Sequence, residues 1–106
     1  MDAKKRKRLE AAGWTVGDAT EFLKLTPEEA ALVEMRLALS RTLRERRQAA
    51  GLTQMALAKQ LGSSQSRVAK LEGGDESVSL ELLIRALLSD GASRKEVAHA
   101  LARRVA

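Results

Sequence analysis

The sequence predicts an all-α protein, and three observations lead there. Hydrophobic residues make up 44% of the 106-residue chain but aromatic residues only 2%. A core must then be built from Leu and Ala, which favour helices, while Val and Ile are too few for a sheet protein. Thr26, Thr53, Ser64, Ser79 and Ser93 each stand just before a segment with helical apolar spacing, where their side chains can cap it. Glycines follow several of these segments, at the position where a helix ends most easily. The length allows one domain with a modest core plus an arm or extension.

Taken in order, residues 1–12 carry Lys4, Lys5, Arg6, Lys7 and Arg8 and form a basic arm expected to be mobile. Gly13 to Gly17 reads as extended or turn-like. Asp18 with Glu21 makes a capping box for a short helix around residues 19–24, with Phe22 and Leu23 as its apolar part. Thr26, Pro27 and Glu29 combine a cap, a first-turn proline and a second capping box. No breaker follows before Gly51, so one long helix is predicted over 27–50, with Leu32, Met35, Leu39 and Leu43 on a single stripe. Thr53 caps a helix over 54–61 that stops at Gly62, and Ser64 caps one over 65–72 that stops at Gly73 and Gly74. The polar link Asp75-Glu76-Ser77 leads to Ser79 and a helix over 80–89, whose Leu80, Leu83, Ile84, Leu87 and Leu88 follow the amphipathic pattern until Gly91. Ser93 with Glu96 opens a last helix bearing Val97, Leu101 and Val105 on one face. The organisation expected is a basic arm (1–12), an acidic extension (13–36) and a helical domain (37–106).

Charge alternates along the chain: residues 1–8 carry +4, residues 9–36 carry −4 and residues 37–106 carry +5. Such asymmetry points to two surfaces, one attractive to polyanions and one not. The absence of Cys excludes a disulfide scaffold, thiolate metal sites and a Cys nucleophile. No apolar run reaches the roughly 18 residues of a membrane span, so a soluble, cytoplasmic protein is expected. The one imidazole, His99, sits among Ala98, Ala100 and Arg103 without metal-ligand spacing, and Gly73-Gly74 lacks the lysine and hydroxyl of a phosphate loop. Catalysis, a metal and a cofactor are therefore not expected.

The two short helices around Gly62-Ser63-Ser64 carry the functional signal. So brief a link makes them cross steeply and closely, which needs a small side chain and a residue tolerant of positive φ; Ala58 and Gly62 supply both. Leu57, Leu61, Val68 and Leu71 then point inward, leaving Gln65, Ser66, Arg67 and Lys70 on the outer face. This is a helix-turn-helix arrangement, whose second helix lies in the major groove of DNA.

The run from Leu52 to Gly74, with Gln54, Ala58, Gly62, Val68, Leu71 and Glu72 in place, resembles the phage-repressor and Cro-like helix-turn-helix regulators of the XRE family. The resemblance extends over about residues 37–90 and implies the family's five-helix domain. It implies that Gln54 contacts phosphate and buttresses the recognition helix, and that Ser64, Gln65, Ser66 and Lys70 face DNA. Arg67 stands where many such proteins have a small polar residue, so it either reads a base or grips a phosphate. Base reading is expected of Gln65, Ser66, Lys70 and Arg67; phosphate contact is expected of Gln54, Ser64, Arg44 and the arm Lys4, Lys5, Arg6, Lys7 and Arg8. Arg47 and Glu72 match a partly buried ion pair that joins the first and third helices of the domain. A dimer on a double-stranded operator is expected, because one recognition helix reaches only a few base pairs. The pairing face is either Val97, Leu101 and Val105 or Leu32, Met35 and Leu39.

The segments Ala12 to Asp18, Glu21 to Glu29, Gly62 to Lys70 and Asp75 to Leu80 also resemble the HigA-like antitoxins within that family. This implies a small basic ribonuclease toxin as partner and autorepression as the regulatory role. Trp14, Phe22 and Leu23, in the acidic stretch, would then anchor the toxin; the alternative is that they tuck against their own domain.

Overall fold

The computed structural model describes residues 24–104. The basic arm, Asp18, Trp14, Phe22, Leu23, Val105 and all of the short helix around 19–24 except Lys24 lie outside the described residues; Lys24 itself is in a turn. Five helices follow: α1 (Pro27–Ala49), α2 (Gln54–Leu61), α3 (Gln65–Gly73), α4 (Leu80–Ser89) and α5 (Arg94–Ala102). Among the described residues there is no strand, and the fold is all-α.

Each helix starts behind a hydroxyl cap in extended backbone. Thr26, Thr53, Ser64, Ser79 and Ser93 accept from the backbone N–H three residues on, and Thr26 and Ser93 complete capping boxes with Glu29 and Glu96. A cap of this kind is worth about 1 kcal/mol, which matters for helices as short as α2, α3 and α5. α1 is long because Ala, Leu, Glu and Arg fill it without a breaker. It passes unbroken through residues 36 and 37 and serves as the spine, packing against α3, α4 and α5 while α2 packs on α3. The core joins Leu39 and Leu43 of α1 to Leu57, Val68, Leu83, Leu87, Val97 and Ala100 from the other four helices.

Three details depart from the sequence reading. The fifth helix occupies 94–102, so the five-helix unit continues past residue 90, where the resemblance ended it. Leu88 is 44% exposed although it fits the amphipathic pattern of α4. The face that α4 buries is Leu83, Ala86 and Leu87, and Leu88, about 100° further around the helix, turns towards solvent. Finally, neither stripe weighed as a pairing face is free along its whole length, because Val97 and Leu39 both lie in the protomer's own core, at 7% and 0% exposure. α5 packs on α1 and is tied to it by charge. Arg46 donates to Asp90 and Glu96 at 2.9 and 2.8 Å, and Arg103 grips both oxygens of Glu45 at 2.7 and 2.9 Å. No helix is long and apolar enough to cross a membrane among the described residues.

Candidate nucleic-acid interface

α2 and α3 are joined by residues 62–64. Gly62 takes φ +64° and ψ +37°, a left-handed conformation that glycine adopts without steric cost, and the chain reverses there in a single residue. Ala58, 3% exposed, lies in the core with Leu57 and Val68, where a larger side chain would push the two helices apart. Val68 and Leu71 fill the inner face of α3, which leaves Gln65, Ser66, Arg67 and Lys70 exposed on the outer one.

A hydrogen-bonded relay fixes how α3 is presented. Arg47 of α1 donates through Nε and Nη2 to the two oxygens of Glu72, at 2.7 and 3.0 Å, and through Nη1 to the Leu52 carbonyl at 2.8 Å. Glu72 Oε1 also accepts from Gln54 Nε2 at 3.2 Å, and Gln54 Oε1 accepts from Gln65 Nε2 at 2.7 Å. Four side chains from α1, α2 and both ends of α3 thus form one chain of contacts. The Glu72 carboxylate is 3% exposed and sits in the last turn of α3, where it opposes the helix dipole; the bidentate guanidinium compensates both penalties. The same contact holds the Arg47 pKa above its usual value. Gln65 spends one N–H on Gln54. Its carbonyl oxygen and second N–H remain for a base edge, where a side-chain amide matches adenine N6 and N7.

Beside the relay runs a groove of about 430 Å³, lined by Ser64, Ser66, Arg67 and Lys70 from the α3 side and by Ser77, Val78 and Leu82. Ser64 accepts the Arg67 N–H at 3.1 Å as the cap of α3 and keeps its hydroxyl proton to donate outward. Ser77 was invisible as a site residue in the sequence, where Asp75-Glu76-Ser77 read only as a polar link. The signal that could have found it is the Asp-x-Ser turn: Asp75 accepts from both the hydroxyl and the backbone N–H of Ser77. Those two bonds, with Lys70 and Arg36 adding field, hold the Asp75 carboxyl below the usual carboxylate range. Arg44 is exposed on α1 and belongs to neither the relay nor the groove wall. Lys4 to Arg8, Trp14, Phe22 and Leu23 lie outside the described residues. His99 lines a different hollow, with Glu45, Lys95 and Arg103, and no cluster of His, Asp and Glu suited to a metal ion occurs among the described residues.

The arrangement presents amide, hydroxyl, guanidinium and ammonium groups together on one short exposed helix. These are the donors and acceptors that read base edges and hold phosphates. No curated protein and no solved structure matches the chain. A family model described as a helix-turn-helix domain matches residues 38–100, from the middle of α1 through most of α5. That span exceeds half of the 106 residues and contains the whole relay, and the chain belongs to the helix-turn-helix domain family.

Proposed function

We propose that this protein is a sequence-specific regulator of transcription that binds a double-stranded operator as a homodimer and represses its own promoter. The observation that carries the reading is the exposed row Gln65, Ser66, Arg67 and Lys70 on α3, braced from behind by Gln54, Glu72 and Arg47. Within that reading Gln65, Ser66, Lys70 and Arg67 select sequence. Gln54, Ser64, Arg44 and the Lys4 to Arg8 arm grip phosphate. Selection of a preferred site from random duplexes, followed by binding to it and to a scrambled duplex, tests this directly. Gln65→Ala with Lys70→Ala should erase the preference, each good base pairing being worth about 1–3 kcal/mol of discrimination. Deleting residues 1–8 should flatten the salt dependence while leaving the preferred site unchanged. Equal affinity for every duplex would point instead to a protein-interaction module on the same fold.

The acidic stretch 9–36 and the resemblance to HigA-like antitoxins favour a narrower reading within this one, as the antitoxin of a type II toxin–antitoxin pair. A small basic ribonuclease would meet Trp14, Phe22 and Leu23 through complementary charge and buried aromatic side chains. Trp14→Ala with Phe22→Ala should then weaken toxin capture while sparing operator affinity. A joint loss of both activities and of melting temperature would assign those side chains to packing on their own domain.

A further inference from the structure

We infer that the second copy needed for a two-half-site operator docks on one composite edge, made by the N-terminal half of α1 and the end of α5. The inference rests on the reading of the chain as a dimeric operator-binding protein. In the sequence the stripes Leu32, Met35, Leu39 and Val97, Leu101, Val105 are separate and compete as pairing faces. The fold withdraws Leu39 and Val97 into the core and brings Met35 and Leu101 together. Met35 and Leu101 line the same groove of about 210 Å³, with Ala31, Glu34, Ala102 and Arg104 around it. Leu32, one residue from Ala31 and one turn from Met35, is 52% exposed.

Charge identifies the occupant. A two-fold interface uses the same patch on both partners, so the patch must be complementary to itself. This one is. Glu28 and Glu29 are exposed at the start of α1, while Arg104 reaches back from the end of α5 with its side chain 84% exposed and its Nε 2.7 Å from Glu34. Two α1 helices crossing antiparallel near Leu32 would lay the acidic first turn of one copy against the Arg104 end of the other, with Leu32, Met35 and Leu101 between.

Sedimentation of the full chain at micromolar concentration tests the assignment, together with binding to a palindromic operator and to a single half-site. The wild type should be a dimer. Leu32→Asp should be monomeric with an unchanged melting temperature, keep its half-site affinity and lose about a hundredfold on the palindrome, the gain that two linked contacts provide. Met55→Asp and Leu88→Asp, at the other large exposed apolar positions among the described residues, should remain dimeric. Glu28→Arg and Arg104→Glu should each weaken pairing, and the double reversal should restore it. A monomeric wild type, a dimer broken by Met55→Asp or Leu88→Asp instead, or a Leu32→Asp variant that stays dimeric and melts earlier because its own chain covers that side chain, each overturns the interface. Failure of the wild type to bind even a half-site is a different result and overturns the DNA reading itself.

Discussion

One guanidinium, that of Arg47 on α1, holds both carboxylate oxygens of Glu72 on α3, and the same carboxylate receives the side chain of Gln54. The pair therefore does more than join two helices, since through Gln54 it also connects to the side chain of Gln65. Arg47→Met leaves a buried carboxylate without its cation and should cost about 3–5 kcal/mol in urea unfolding. Arg47→Lys should fall between, because an ammonium cannot match two oxygens in a plane. The double variant Arg47→Met with Glu72→Met should recover most of the stability and still lose operator affinity. If the single and double variants prove equally unstable, the guanidinium contributes packing and not charge.

The resemblance implies two roles for Gln54, a phosphate contact, whose removal would lower affinity for every sequence alike, and a buttress for the recognition helix. In the fold it also restrains the amide of Gln65. Gln54→Ala should therefore blur the base preference at the position read by Gln65, by about 1 kcal/mol of lost discrimination, in addition to a uniform loss. Gln54→Glu keeps an acceptor for Gln65 but puts a second carboxylate beside Glu72, and should lose stability. Binding isotherms on single-base operator variants separate the two effects, and a purely uniform loss for Gln54→Ala would mean that Gln65 orients itself.

Several carboxyls are held below their ordinary range: Glu45 by the Arg103 guanidinium, Glu96 and Glu29 chiefly by the backbone N–H of the caps they complete, and Asp75 by Ser77. A depressed folded-state pKa gives stability that is present above the unfolded value, about 4.3 for Glu, and is lost as pH falls through the folded value. The melting temperature should thus be level from neutral pH to about 5 and decline below about 4.5. Glu45→Gln should start lower at neutral pH and decline less. A decline already complete by pH 6 would require a different titrating group.

What was legible in the sequence was everything decided locally. The caps Thr26, Thr53, Ser64, Ser79 and Ser93 stand where the structure uses them, because capping depends on a side chain and a backbone N–H three residues apart. The outward row on α3 follows from helical spacing once Val68 and Leu71 are known to face inward. Long-range pairings of Arg46 and Arg103 were not legible, since a surface arginine on α1 or α5 can meet any acid that the packing delivers. Leu88 shows the limit of periodicity. A pattern five residues wide identifies an amphipathic helix, and only the neighbours that α4 packs against decide which edge of the stripe is left in water.

Gly74 and Gly62 offer the sharpest comparison. Both end a helix with positive φ, +69° and +64°, so a Cβ at either meets the same backbone strain of roughly 1–2 kcal/mol. Their surroundings differ. A Cβ at Gly62 would meet nothing within 4 Å, whereas one at Gly74 would sit 2.8 Å from Leu37 Cδ2, a half-buried side chain on α1. Gly62→Ala should cost the strain alone, about 1–2 kcal/mol. Gly74→Ala should cost that plus an overpacking penalty of about 1 kcal/mol, at the low end because Leu37 Cδ2 is the tip of a half-buried side chain that can swing aside. Shortening the neighbour should separate the two contributions, with Leu37→Ala removing the clash and leaving the strain. Chemical denaturation of the three variants and of Gly74→Ala with Leu37→Ala gives the coupling between positions 74 and 37. A favourable coupling of about 1 kcal/mol or more confirms that Leu37 presses on the cap of the recognition helix, and strict additivity would mean that α1 and the end of α3 adjust to each other without strain.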